Sequence, residues 1–230
     1  MRLNQIDFNN AKKEWTSEKF LREFFQVKKN ENPFNKYYIK EFIDTISNIP
    51  LRHEYTMVGY GSLLNEKDIP RTLPSGKNHR LGILNGYKRI FNVAGNVNDI
   101  AYLNVEKVPY DLQTYVALID FPYYELPNII ARESLYDFTE VMIQEQNKET
   151  QSLMVVGNNY FVNNYATPLL NYLHLCISGI KDLAGKEGVD NFLYTTYCYS
   201  QYHGEQVTIN EYLKHVNLLD YMVRREYISR

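Results

Sequence analysis

The segment Val58-Gly59-Tyr60-Gly61-Ser62-Leu63-Leu64 is the part of this chain best suited to face a ligand. It follows a short apolar approach, Tyr55 to Val58. Its two glycines let the backbone turn sharply and leave consecutive N–H groups uncovered by a Cβ. Such N–H groups hold carboxylates and developing oxyanions. A tight turn with no chemistry has the same sequence, so the surrounding residues must decide between the two.

Other chemistries find less support. A dinucleotide fingerprint fails because Leu64 stands where the third glycine is needed, and no clean strand-helix-strand repeat follows. Ser62 as a nucleophile lacks a Gly-x-Ser-x-Gly elbow, and none of His53, His79, His174, His203 or His215 has a triad context. The same five histidines show no metal-ligand spacing. Cys176 and Cys198 form no Cys-x-x-Cys pair, so neither a zinc site nor a disulfide framework is expected, and a reducing, cytoplasmic location fits.

Composition narrows the partners. Across 230 residues, 25 Lys and Arg against 27 Asp and Glu give a formal net charge of −2, which offers no basic footprint for nucleic acid and no polybasic membrane patch. No stretch approaches the roughly 18 apolar residues of a membrane span. The start, Met1-Arg2-Leu3-Asn4, lacks the apolar core of a signal peptide. A soluble chain with a small-molecule partner is expected. The 21 tyrosines suit a hydroxyl-lined cavity, although a biased composition alone would produce them.

The elements that must position the turn follow from periodicity. Trp15, Phe20, Leu21, Phe24 and Phe25, then Tyr38, Ile39, Phe42, Ile43 and Ile46, recur at helical spacing, and Pro50 closes the second set. Residues 1–50 therefore read as an N-terminal helical extension, with a polar loop over Lys28–Pro33, and 51–230 as one domain. Short apolar runs at Tyr55–Val58, Tyr87–Val93, Ala101–Val105, Tyr115–Asp120 and Phe138–Ile143 predict strands. A short helix over Glu125–Leu135 lies between the last two, with Pro127 in its first turn. After Pro168 come an apolar helix from Leu169 to Ile180 and a second around Val189–Tyr197. A capping box at Thr208-Ile209-Asn210-Glu211 opens a final helix carrying Tyr212, Val216, Leu219 and Val223. The order of helices, mixed strands and helices is α+β.

The succession Tyr60-Gly61-Ser62-Leu63-Leu64, Gly86-Tyr87-Lys88-Arg89, Asn104-Val105, a strand to Asp120, Arg132-Glu133 and Tyr136 resembles the γ-glutamyl cyclotransferase superfamily. The Arg-Glu pair with a nearby Tyr is similar to its ChaC-like, glutathione-specific branch. The resemblance spans about residues 55–145 and, more loosely, the helices after 165. It implies a small mixed β-barrel flanked by helices, with no metal or organic cofactor, that releases 5-oxoproline from a γ-glutamyl amide. In that reading Glu133 is the general acid and base, the Gly59–Leu64 turn holds the substrate, Tyr60, Ser62 and Leu63 line it, and Tyr136 orients the carboxylate or the substrate. Ser134 stands where many members have glycine, and the Glu133 to Tyr136 spacing is short. Glu125 and Glu140 are the other candidates for the carboxylate, each with an easy solvent-exposed explanation. Two different functions remain open: a catalytically silent relative binding a small acidic ligand or peptide end, and an interaction protein acting through an exposed Trp15, Phe24 and Phe25 patch.

Overall fold

Period-2 and period-3.6 patterns resolve into alternating elements in the computed structural model, which describes residues 3–29, 36–94 and 100–216. Helices α1 (Ala11–Trp15), α2 (Glu18–Lys29) and α3 (Lys36–Asn48) come first. Strand β1 (Glu54–Gly59), the one-turn helix α4 (Ile69–Thr72) and strands β2 (Lys77–Asn85), β3 (Tyr87–Ala94), β4 (Ile100–Lys107) and β5 (Gln113–Pro122) follow. Helix α5 (Leu126–Arg132) precedes the hairpin of β6 (Tyr136–Gln144) and β7 (Glu149–Gly157). The short β8 (Thr167–Pro168), the long α6 (Leu170–Thr195), β9 (Thr196–Ser200), β10 (Glu205–Thr208) and α7 (Ile209–His215) complete the order.

Strands β1-β5-β2-β6-β7 close into a barrel, sealed by a parallel bridge between Met57 of β1 and Leu153 of β7. This is the mixed α+β barrel expected from the sequence. A second sheet, β10-β9-β3-β4-β8, was not foreseen, nor were β2, β7, β9 and β10. Tyr197, read as a helix end, lies in β9, where Thr196-Tyr197-Cys198-Tyr199-Ser200 alternates buried and half-buried. β-branched and aromatic residues in period 2 favour that strand over another helical turn. The two helices expected after Pro168 are present as the halves of α6, separated by non-helical angles at Ala184 and Gly185. The capping box of α7 forms as expected, Thr208 Oγ1 accepting from Glu211 N at 3.2 Å and Glu211 Oε2 accepting from Thr208 N at 2.9 Å. Asn30–Pro33 of the polar loop, and Leu219 and Val223 of the last helix, lie outside the described residues.

Strand β5 runs Val116, Ala117, Leu118, Ile119 and Phe121 almost without exposure, because the barrel covers one face and α6 packs against the strand. The core also contains Arg89 of β3, fully buried, whose Nη1 donates to Thr195 Oγ1 at 3.0 Å and Nη2 to Tyr115 O at 2.8 Å. Its guanidinium lies 4.6 Å from the Phe192 ring centroid. Burial pulls its pKa down to about 9, opposed by Cys176, so it stays charged near neutrality while joining β3, β5 and α6.

The extension shares this core rather than standing apart. Trp15, Phe20, Phe24, Phe25, Phe42 and Ile46 are all buried within it. The exposed aromatic patch that an interaction function would need is therefore missing at Trp15, Phe24 and Phe25. Phe24 and Phe25 pack edge to face at 5.3 Å, and Phe25 meets Phe42 at 5.2 Å. Helix α3 rests against α5. Tyr123 ties the first turn in, donating to Ile6 O at 2.6 Å with its ring 6.1 Å from Trp15. No helix among the described residues is long and apolar enough to cross a membrane.

Burying an aromatic side chain stabilises by about 25 cal/mol per Å² of area removed from water, and truncation adds the cavity left behind. Trp15→Ala is therefore expected to cost roughly 3–5 kcal/mol, seen as a lower urea midpoint at unchanged slope. Deleting residues 1–50 should lower the melting temperature or cause aggregation. A truncated chain that stays monomeric and melts like the full one would show that the extension contributes nothing to the core.

Candidate active site

Strand β1 ends at Gly59 and the chain turns at once into a single 3-10 turn, Ser62–Leu64. Leu64 N donates to Gly61 O at 2.9 Å and Asn65 N to Ser62 O at 3.0 Å. Neither Gly61 N nor Leu63 N donates in the hydrogen bonds of this turn. The turn is pinned from behind by α6. A Cβ on Gly61 would sit 2.3 Å from the Tyr172 hydroxyl, and one on Gly179 would sit 2.4 Å from Asn65 N. Both glycines are required by close approach.

Tyr172, on the first turn of α6, accepts a hydrogen bond from Ser62 N at 3.3 Å. Its hydroxyl also hydrogen-bonds the Cys176 thiol one turn on, and burial holds that thiol far above the ordinary cysteine range. Tyr172 was missed in the sequence because it rides on an apolar helical stripe. The available signal was a hydroxyl among Leu173, Cys176, Ile177 and Ile180.

Helix α5 delivers the carboxylate. Leu126, Ile129 and Ile130 bury one face, and Pro127 occupies the first turn where its missing N–H costs nothing. The helix is shorter than expected: Tyr123–Glu125 is a 3-10 turn and Glu133 is the C-terminal cap. Glu133 N donates to Ile129 O at 2.9 Å, and Tyr136 N to Glu133 O at 2.9 Å, so the chain reverses into β6 with both side chains on the same cleft. That cleft, about 360 Å³ including its open mouth, is lined by Gly59, Tyr60, Gly61, Ser62, Leu63, Glu133, Tyr136 and Tyr172. The structure thus brings every sequence-predicted site residue to one place. Leu103 and Val155 form walls that the sequence did not indicate.

The tyrosines hold their protons. Tyr60 Oη donates to Val155 O at 2.8 Å and Tyr136 Oη to Leu103 O at 2.9 Å. Tyr136 thus gives its proton to a backbone carbonyl rather than to Glu133, the first of the two partners, carboxylate or substrate, that the resemblance implied for it. Burial, with Glu133 nearby, pushes both phenols well above the usual tyrosine range, and burial with Cys176 does the same for Tyr172. Glu133 itself is raised from the ordinary 4.5, first by burial, with the Arg132 guanidinium opposing from 3.6 Å.

The two alternative carboxylates lie elsewhere. Glu125, expected to face solvent, is 4 % exposed and accepts from Ser75 N at 2.7 Å, locking the loop before β2. Glu140 of β6 pairs with Arg52 at 2.7 Å. It borders a hollow of about 1010 Å³, open mouth included, between α3 and β6 that contains none of the glycine-turn residues. Among the described residues, no His, Cys, Asp and Glu group is arranged to hold a metal ion.

No family profile matches the chain, and no curated protein matches it in sequence. Solved structures do match in fold. One described as a gamma-glutamyl cyclotransferase superposes with a TM-score of 0.53 at 18% identity, covering 70% of this chain and 99% of that one. An uncharacterized protein from Homo sapiens gives 0.54 at 17% identity, covering 72% and 98%. The chain has the gamma-glutamyl cyclotransferase fold.

Because the Tyr172 hydroxyl occupies the space beside Gly61, Gly61→Val should weaken binding of a glutamate-like carboxylate far more than Ser62→Ala does, measured by calorimetry. Tyr172→Phe should recover part of the loss in a Gly61→Ala background by vacating that space. The reverse order for Gly61→Val and Ser62→Ala would move recognition from the backbone to the Ser62 hydroxyl.

Proposed function

We propose that this chain is a γ-glutamyl cyclotransferase-like enzyme that releases 5-oxoproline from a γ-glutamyl amide, with Glu133 as general acid and base. The observation that carries this reading is the single cleft lined both by Glu133 and by Gly61, Ser62 and Leu63 of the turn, in which Gly61 N and Leu63 N donate no hydrogen bond. The fold shared with a gamma-glutamyl cyclotransferase supports it.

The chemistry follows from what such a cleft can hold. The turn takes the substrate's α-carboxylate on backbone N–H groups, bending the γ-glutamyl chain so that its α-nitrogen lies over the γ-carbonyl carbon. Glu133 removes a proton from the α-ammonium group, and the freed nitrogen attacks that carbon. A five-membered ring forms through a tetrahedral intermediate. Glu133 returns the proton to the amide nitrogen as the carbon–nitrogen bond breaks. The ring nitrogen loses a further proton and the departing amine gains one, so the products are 5-oxoproline and an ammonium. No water, oxidant or reductant is consumed.

Partial burial serves both halves of this cycle, since a carboxyl whose pKa is raised toward the working pH accepts and returns a proton with less bias. The hydroxyls of Tyr60 and Tyr136, committed to carbonyls, leave Glu133 without an orienting phenol, which favours a second reading as a silent binder of a small acidic ligand. One substitution separates the two.

Glu133→Gln should abolish 5-oxoproline formation from γ-glutamyl substrates while leaving binding in place; turnover at the parent rate would sink the assignment. The sign of the stability change is also fixed. A carboxyl whose folded pKa is raised imposes a penalty that grows as pH rises from its unfolded value through its folded one. Glu133→Gln removes it, and the variant should melt at the same temperature or higher at pH 7.

For the parent, kcat/KM should fall as acid protonates Glu133. The limb of that decline should lie above the ordinary glutamate value of 4.5 and vanish into background in Glu133→Gln.

A further inference from the structure

Strand β6 pairs with β7 along its whole length, from Tyr136 opposite Gly157 to Gln144 opposite Glu149, but meets β2 only where Gln144 lies opposite Ile83. Among the described residues, its other edge therefore has no strand partner from Tyr136 to Met142. An unpaired edge presents backbone N–H and C=O groups to whatever lies beside it. Here that is the hollow of about 1010 Å³ below α3. Four consecutive β6 residues line it: Asp137, Phe138, Thr139 and Glu140. Successive side chains of a strand point to opposite faces, so a space that touches all four meets the strand edge-on. The far wall is α3, through Glu41, Asp44, Thr45 and Asn48, whose spacing puts them on one face of the helix.

A second hollow, about 500 Å³ with its mouth, shares Glu41, Thr45, Asp137 and Phe138 with the first. It continues toward α5, where Phe25, Phe42, Ile130 and Phe161 line it. One groove, polar and then apolar, thus follows β6 from Glu140 back to Tyr136, a strand length of about 17 Å. Its polar half is acidic. The lining there carries Glu41, Asp44, Asp137 and Glu140 and no Lys, Arg or His. Arg52 pairs with Glu140 at 2.7 Å and Asn158 Nδ2 donates to Asp137 at 3.0 Å, while Glu41 and Asp44 have neither ion pair nor hydrogen bond among the described residues. A second copy of this face is excluded as occupant, because edge-to-edge pairing would bring the same carboxylates together.

We propose that this groove docks an extended basic peptide segment of another protein. The segment adds a strand to the free edge of β6, sets Lys or Arg side chains against Glu41, Asp44 and Asp137, and seats an apolar side chain in the hollow beside α5. The groove shares only Tyr136 with the glycine-turn cleft, so the inference stands apart from the proposed reaction.

The test uses the capped hexapeptide Phe-Thr-Lys-Thr-Lys-Thr, its reversed sequence, the counterpart with Glu for Lys, and spermine, which carries charge without a peptide backbone. Calorimetry on the full chain at low salt should show binding of one Lys peptide at least tenfold tighter than of the Glu peptide, fading as salt rises. Amide exchange should slow at alternate residues of Asp137–Val141, those facing away from β7, when that peptide is bound. Glu41→Lys with Asp44→Lys should weaken the Lys peptide by about tenfold, each exposed charge pair being worth up to roughly fivefold, and should strengthen the Glu peptide. The comparison of peptides on the parent stands even if that variant fails to fold. Absence of binding by either Lys peptide, binding that survives the double substitution, spermine binding as tightly as the peptide, or unprotected β6 amides would each overturn the inference. Protection of the same amides by self-association without peptide would assign the groove to a second copy and overturn it too.

Discussion

The approach of α6 to the end of β1 is the constraint on which the rest of the cleft depends. Gly61 and Gly179 have no room for a Cβ, and the Tyr172 hydroxyl fills the space behind the turn while engaging Ser62 N at 3.3 Å. With helix and turn in contact, the carbonyls of Gly61 and Ser62 accept from Leu64 N and Asn65 N and close the turn. Move the helix back by one side chain and that backbone loses its support. The buried Arg89 belongs to the same constraint, since it anchors the far half of α6 through Thr195 and Phe192 to strands of both sheets.

The electrostatics of the cleft reflect a contest between dehydration and one cation. Burial raises Glu133 and Arg132 opposes it, and the raised value means dehydration wins. Tyrosines make this tolerable, because three neutral rings exclude water without adding charge and send their own protons to fixed acceptors such as Val155 O and Leu103 O. The abundance of tyrosine noted in the sequence is only partly explained by this. Tyr160, Tyr165 and Tyr202 are more than two-thirds exposed and take no part in the cleft.

How much was legible depended on whether a residue's role was local. The glycine turn announced itself because sharp reversal has a local signature, and the strands at Tyr55–Val58 and Tyr115–Asp120 did so through apolar runs. Glu133 could be named only through a resemblance, since nothing local distinguishes a carboxylate at a helix end from a solvated one. Tyr172 was hidden because its role arises from a contact 110 residues away in sequence. β2 was hidden because its first residues are polar and exposed, and its burial pattern gives no clean alternation. Glu125 was misjudged for a like reason: its partner, Ser75 N, is 50 residues distant.

The contact of α3 with α5 has a thermal consequence. Helix α5 is only seven residues long, too short to hold its shape unaided, and it carries Glu133 at its end. Phe25 and Phe42 from the extension line one hollow with Ile130 and Ala131, and α3 packs on α5, so the aromatic cluster acts as a clamp on the carboxylate's mount. Segments that open below the global unfolding free energy do so as cooperative units. If the clamp is such a unit, its release would blur the position of Glu133 while the barrel strands remain intact. The working temperature of the site would then be bounded by the least stable packed layer rather than by the barrel, and faster amide exchange across α3 and α5 than across β5 would mark that boundary.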